Sequence, residues 1–303
     1  MQTNSNISSE VDAIIARAMA EYAAAKGIEV FSDSHTTVEP DPLEESVIRE
    51  DPDPVHNEIP QNSSSILVEE STSRFSSAVW FDTVQSKVVT LAGLGGIGSY
   101  VAFLLARLHV AQLYLYDDDV VEAGNMSGQL YGTEDIGSPK VDAIAAAMSR
   151  YSNYYSTYNY GERFTDTSSA TDIMICGFDN MDARRTFFTV WKEHVNNLPA
   201  EEKHNCLFID GRLAAESLQV FCIVGDDTYN IEKYENQYLF ADWEAEETQC
   251  SYKQTSFMAN MIGSFIANLF VNFCANQCDP LVPRDLPFFT EYTAETMYLK
   301  LVN

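Results

Sequence analysis

The stretch GLGGIGS, Gly93 to Ser99, directly follows the apolar run KVVTLA, Lys87 to Ala92. Gly93, Gly95 and Gly98 match G-x-G-x-x-G, with Gly96 inside the same loop. Glycines there let backbone N–H groups approach phosphate oxygens, and a following helix N-terminus adds a favourable dipole. Further along, Asp117 ends the apolar run AQLYLYD, at the distance where a carboxylate accepts hydrogen bonds from a ribose hydroxyl; Asp118 and Asp119 extend the acidic turn. Lys140 opens a helical stretch and offers a point charge to phosphates. Asp179, in GFDNMDARR (Gly177 to Arg185), lies just past another apolar run, with Asn180 beside it as a second candidate ligand of the nucleotide. A carboxylate at that place fits a Mg²⁺ ion held against a triphosphate. A dehydrogenase has no need of it. None of the five histidines (His35, His56, His109, His194, His204) forms a pair placed for hydride transfer, and each reads as a solvated or core residue.

The elements that must position these residues alternate. KVVTLAG, AQLYLYD and TDIMICG read as strands, and IGSYVAFLLARLHV, SPKVDAIAAAMSRY and MDARRTFFTVWKEHV as helices, with Pro139 near the first turn of the second. CLFIDG and LQVFCIV follow without a helix between them, then a long helix from about Thr255 to Cys274 and a last strand in ETMYLKLVN. Such an order predicts an α/β fold: a doubly wound, mostly parallel Rossmann-like sheet with an antiparallel C-terminal extension. In such sheets ligands bind beyond the carboxyl ends of the strands, where the glycine loop, Asp117 and Asp179 all fall.

Residues 1–70 differ in composition. Ser32 to Ser65 is rich in Pro, Ser and acids and poor in large apolar residues, so it cannot bury enough surface to order itself and reads as a disordered acidic tail. Val11, Ile14, Ile15, Ala18, Met19 and Tyr22 fall at helical spacing near 9–26, between Ser8 or Ser9 as cap and Gly27 as stop. Residues 71–303 are expected to hold the nucleotide-binding domain. Among 303 residues there are 45 acidic and 18 basic side chains, a formal charge of −27, and such a surface repels nucleic acid. No secretory signal and no uncharged apolar run of spanning length is expected. Six cysteines in apolar or scattered positions, with CANQC a solitary C-x-x-x-C, read as reduced thiols rather than a zinc site, and the compartment as a reducing cytoplasm.

GLGGIGS, LYDDDVVEAGNMSGQLY, DIGSPK and CGFDNMDARR, in this order and spacing, resemble the ThiF family, which includes adenylyltransferases that activate sulfur-carrier proteins and the adenylation domains of ubiquitin-activating enzymes. The resemblance extends from about Arg74 to the C-terminus. It implies ATP and Mg²⁺ as ligands, a small ubiquitin-like or sulfur-carrier-like protein or peptide as partner, and attack of that partner's C-terminal carboxylate on the α-phosphorus. It implies that Asp117 binds ribose, that Asn125 and Lys140 face the phosphates, that Asp179 holds Mg²⁺, and that the chain is a homodimer. Arg184 stands where many members carry an arginine.

The chain departs from the family's S-N-L-x-R-Q loop. It reads GNMSGQ, Gly124 to Gln129, keeping Asn125 and Gln129 but placing Gly128 where the arginine belongs. The family's R-Y-x-R-Q segment is matched only by RFSSAVW, with Arg74 at the first arginine and Ser77 at the second. A lost cation at a phosphoryl site costs on the order of 10²–10³-fold in rate. Arg74, Arg184, Arg185 and Arg212 are the candidates to replace it. Cys250 precedes the last helix, where thioester-forming relatives carry a capturing cysteine; Asp242, Glu244, Glu246 and Glu247 oppose a thiolate there, and Lys253 and the helix N-terminus favour it. Two readings follow: an ATP-dependent adenylyltransferase, or a nucleotide-binding relative that no longer turns over and serves as an interaction protein. An NAD oxidoreductase stands third.

Overall fold

The computed structural model describes residues 70–240, 254–278 and 283–303. The expected acidic tail with its helix near 9–26, and Cys250, lie outside the described residues. The chain runs through α1 (Phe81–Gln85), β1 (Val88–Ala92), α2 (Gly96–Arg107), β2 (Gln112–Tyr116), α3 (Lys140–Ser152), β3 (Thr157–Tyr160), β4 (Ile173–Cys176) and α4 (Met181–Asn197). It continues through β5 (Leu207–Ala214), β6 (Ser217–Val224), α5 (Thr228–Gln237), α6 (Ser256–Asn276), β7 (Phe289–Thr293) and β8 (Tyr298–Val302). All eight strands form one sheet in the order β3-β2-β1-β4-β5-β6-β7-β8. From β3 to β5 the neighbours are parallel, and from β5 to β8 they are antiparallel.

Strands buried on both faces need apolar side chains at consecutive positions, and β4 shows why. Ile173 and Ile175 face one layer, with Leu105 of α2, Ile144 of α3 and Phe270 of α6. Met174 and Cys176 face the other, with Phe187, Phe188 and Trp191 of α4 and Tyr234 of α5. The expected doubly wound sheet with an antiparallel extension is therefore the observed one. The chain leaves β1 to build β2 and β3 on one side, then returns to lay β4 on the other, so the crevice lies beyond the carboxyl ends of β1 and β4.

α6 corrects one expectation. It is 21 residues long and apolar enough, by length and composition, to cross a membrane. Its composition has a cause inside the fold. Met258, Ile262, Ile266, Phe270 and Phe273 are buried in the layer it shares with α2.

A buried ion cluster corrects another. Asp210, near the middle of β5, has no exposed side-chain surface. Its Oδ1 accepts a hydrogen bond from Nη1 of Arg184, and its Oδ2 accepts from Nε of Arg212 at 2.8 Å and from the Tyr234 hydroxyl at 2.8 Å. Arg184 also donates to the carbonyls of Gly211 (2.9 Å) and Phe178. Arg212 donates to the Tyr238 carbonyl at 2.8 Å, and its guanidinium lies 4.7 Å from the Phe221 ring centroid. Burial, the largest single influence, disfavours the charge on Arg184, but the Asp210 carboxylate together with Cys176 and Tyr234 more than offsets it and the net shift is upward. Burial, then Asp210, holds the Tyr234 hydroxyl well above its ordinary range. The two arginines are thus internal counter-ions of one carboxylate. Arg184 and Arg212, expected as candidates to replace the missing phosphate-binding cation, are both engaged by Asp210 here, and turning either away would leave buried charge unpaired, at about 3–5 kcal/mol.

Two outcomes test this account. Asp210→Asn should lower the unfolding free energy in urea by about 3–5 kcal/mol, since both guanidinium groups lose their anion. A loss below about 1 kcal/mol would contradict it. Phe270→Ala should cost about 3–5 kcal/mol in the same titration in aqueous buffer, as expected of a core side chain. An unchanged midpoint would remove α6 from the core.

Candidate nucleotide site

The glycine loop is shaped by backbone packing against its neighbours. Gly93 takes φ +81°, a left-handed conformation, and a Cβ placed on it would lie 2.7 Å from the Gly177 carbonyl carbon. A Cβ on Gly98 would lie 1.9 Å from the Gly93 carbonyl oxygen. The turns after β1 and β4 therefore abut with no side chain between them. Gly95 caps α2 at its N-terminus and brings no side chain to the first N–H groups of the helix, which leaves them for an anion.

Asp117 holds this loop from the side. Its Oδ2 accepts the Leu94 N–H at 2.6 Å and its Oδ1 accepts the Asp119 N–H at 2.9 Å. Burial, only partly offset by these bonds and by Lys140, raises its pKa. The Tyr131 hydroxyl donates to the Leu94 carbonyl at 2.7 Å and so fixes the next peptide of the same residue. Lys140 is buried, with its ammonium 2.7 Å from Asp119 and 4.0 Å from Asp117. Asp117, Asp119 and Lys140 thus meet at the loop, and each carboxylate oxygen of Asp117 keeps a second lone pair for a ribose hydroxyl.

The GNMSGQ loop stands opposite. Asn125 Oδ1 accepts the Glu122 N–H at 2.8 Å and closes a 3-10 turn over Ala123–Ser127, so its carboxamide oxygen is spent locally. Gln129 reaches the glycine loop: its Nε2 is 3.8 Å from where a Gly95 Cβ would be, and its Oε1 is buried with no partner. Gly128 has φ −142°, a conformation open to any residue, so its backbone does not require glycine. The space above it is taken instead. A Cβ on Gly128 would lie 2.9 Å from Gln254 Cγ, and one on Gly96 would lie 2.2 Å from Gln254 Oε1. Gln254, held by a bridge to Ala215 at the end of β5, fills the volume an arginine side chain at 128 would need. Nothing in the chain pattern around Gln254 signalled this role.

Asp179 is exposed past β4 and has one neighbour in reach, Asn180 Nδ2 at 3.3 Å. Asn180 Oδ1 accepts the Ala183 N–H at 2.8 Å and caps α4, so its first duty is to the helix. Arg184, one turn on, holds the Phe178 carbonyl, one peptide beyond the Gly177–Phe178 peptide that abuts Gly93. It positions the loop and does not face it. Arg185 donates to the Leu239 carbonyl at 2.8 Å, and Arg74 is exposed near α1. Among the described residues, the cation brought to the glycine loop is Lys140.

The residues present fit ATP with a divalent cation. The first N–H groups of α2, which carry no side-chain cap, offer donors to phosphate oxygens, the buried and unpartnered Gln129 Oε1 is an acceptor suited to a hydroxyl or amine, and Asp179 supplies an exposed carboxylate past β4.

The ThiF family model matches residues 73–301. Ubiquitin-like modifier-activating enzyme 5 of Bombyx mori is 31% identical over 129 residues, which cover 37% of this chain and 33% of that protein. The protein of the same name from Drosophila sechellia is 31% identical over 121 residues, 34% of this chain and 30% of its own. The chain spans about a third of the length of the curated relatives it matches. Among solved structures, E. coli MccB with ATP superposes with a TM-score of 0.58 at 15% identity, covering 78% of this chain and 71% of that one. E. coli MccB with MccA-N7isoASN gives 0.57 at 17% identity, over 74% and 66%. These two likenesses establish the fold. With its glycine loop at the switch point of the sheet and the family model matched over three quarters of its length, the chain belongs to the ThiF family.

Proposed function

We propose that this protein binds ATP·Mg²⁺ and adenylates the C-terminal carboxylate of a small ubiquitin-like or sulfur-carrier-like protein or of a peptide. One observation carries the reading: α2 starts behind Gly95 without a side-chain cap at the carboxyl end of β1, and the exposed Asp179 follows the carboxyl end of the neighbouring strand β4. The relatives named as ubiquitin-like modifier-activating enzymes, and the fold shared with MccB solved with ATP, support it. ATP bound there supplies an α-phosphorus for the carboxylate to attack, with pyrophosphate as leaving group. The chain's own residues do the holding. The α2 N–H groups take phosphate oxygens, Asp117 takes the ribose, Lys140 supplies the positive charge and Asp179 holds Mg²⁺. A homodimer working in a reducing cytoplasm belongs to the same reading.

A second reading, nucleotide binding without turnover, is favoured by a different observation. Gly128 removes the family's arginine, Gln254 fills its volume, and Arg184 and Arg212 are held by Asp210. Exchange of labelled pyrophosphate into ATP separates the two. Exchange in the presence of a carrier protein ending in Gly-Gly, or of a peptide carboxylate, establishes the adenylyltransferase. ATP binding in calorimetry without exchange on either substrate supports the second. Absence of ATP binding removes both.

Asp179→Ala should abolish the Mg²⁺ dependence of ATP binding in calorimetry and leave the thermal midpoint in place, because the side chain is exposed. Retained Mg²⁺ dependence would discard the assignment. Gly128→Arg combined with Gln254→Ala should tighten ATP binding about 10- to 100-fold, the worth of one charge-assisted contact. Gly128→Arg alone should gain less, because Gln254 stands in the way. Equal gains in the single and double variants would show that Gln254 does not occupy the arginine's place.

A further inference from the structure

The opposite edge of the sheet holds a second group of side chains with reactive chemistry. Asp172 precedes β4 and Cys206 precedes β5; the two strands are neighbours in register, so both residues stand at the amino edge. His194 lies in the last turn of α4, which packs over that edge. His194 Nε2 is 2.8 Å from Asp172 Oδ1, and Cys206 Sγ is 3.9 Å from the same oxygen. The three ligand atoms all lie within 4.8 Å of one another. β4 separates this cluster from Gly177 and Asp179, a span of roughly 15 Å.

We propose that Asp172, His194 and Cys206 form a mononuclear site for a divalent transition metal, Zn²⁺ by their chemistry, distinct from the nucleotide site. Carboxylate, imidazole and thiolate form the mixed O, N, S set that suits Zn²⁺, whereas Mg²⁺ and Ca²⁺ take oxygen ligands. In a tetrahedral site with bonds of about 2.0–2.3 Å, neighbouring ligand atoms stand roughly 3.3–3.8 Å apart. The observed spacings straddle that range, so side-chain adjustments of well under a residue's length admit an ion. Cys206 loses its thiol proton to solvent on binding, and the two anionic ligands balance the cation.

The frame is rigid where it must be. The Asp172 carbonyl accepts from Trp191 Nε1 at 3.1 Å and from the Leu207 N–H at 2.9 Å, which ties the residue to α4 and to β5. Cys206 is buried, while Asp172 and His194 keep exposed surface and line a cavity of about 330 Å³ with Asn205 and Lys87. That cavity is the path by which an ion enters, and it leaves room for a water as fourth ligand. The Lys87 ammonium donates to Gln277 Oε1, which is not among the residues lining the cavity. In this proposal His194, expected from the sequence to have a solvated or core role, is a ligand. It also differs from CANQC, whose Cys278 Sγ lies 2.8 Å from Thr83 Oγ1 and 3.3 Å from the Cys274 carbonyl.

The test uses the full chain, stripped with a chelator and titrated with Co²⁺ as a coloured stand-in for Zn²⁺. One Co²⁺ per chain should bind with a thiolate-to-cobalt charge-transfer band that Zn²⁺ displaces. The band should vanish in Cys206→Ser, and Co²⁺ affinity should fall at least about tenfold in His194→Gln. The His194→Gln variant changes a partly exposed position and should keep both its fold, by circular dichroism, and its ATP affinity. No charge-transfer band, a band that persists in Cys206→Ser, or unchanged affinity in His194→Gln would each overturn the proposal. None of these outcomes bears on ATP binding, so the two proposals fail separately.

Discussion

The Asp210 carboxylate sits in the body of the sheet with no exposed surface, and a buried charge of that kind must be met by partners of opposite sign. Meeting it recruits Arg184 from α4, Arg212 from its own strand and Tyr234 from α5. Much else depends on that arrangement. Arg184 carries the constraint forward to the Phe178 carbonyl, and so to the turn that packs against Gly93. The ion cluster is thus linked through Arg184 to the turn against the glycine loop, the surface proposed to receive phosphates. The same recruitment takes two arginines out of circulation as ligands.

The nucleotide edge is consequently poor in free cations for a site meant to hold a triphosphate. Lys140 is shared between Asp117 and Asp119, and the volume over Gly128 belongs to Gln254. A phosphate group approaching this loop meets backbone dipoles first and one shared ammonium second. In the proposed function, a divalent cation at Asp179 would therefore carry more of the neutralisation than in a site with two guanidinium groups.

The parts of this molecule that were legible in its sequence are those whose signal is local. β1, β2 and β4 are short apolar runs ended by Gly or Asp, and α2, α3 and α4 begin where the loops that follow those runs end. β3 was not legible, because TYNY is a four-residue outer strand whose side chains are exposed or half-buried and show no apolar alternation. α5 was missed for a related reason: only Ile231 and Tyr234 of its ten residues are buried. At the candidate site, the sequence indicated where the glycines, Asp117 and Asp179 stand relative to strand ends and where Lys140 opens its helix. Gln254 did not, since its contact with Gly128 joins positions far apart in the chain. The arginines were visible as charges, but their fate depended on Asp210, which in the sequence is one more acid at the end of a strand.

Side chains are sorted by layer in a way that has an optical consequence. Trp191 is fully buried among Phe188, Phe208 and Tyr234 on the α4/α5 side, while Trp80 is half-buried against the aliphatic layer of α2, α3 and α6. Each face of the sheet therefore carries its own described fluorophore in a different polarity. Emission from the two indoles shifts together if the layers come apart as one cooperative unit and in sequence if they do not. The architecture has, in effect, built a separate intrinsic reporter into each side of its own core.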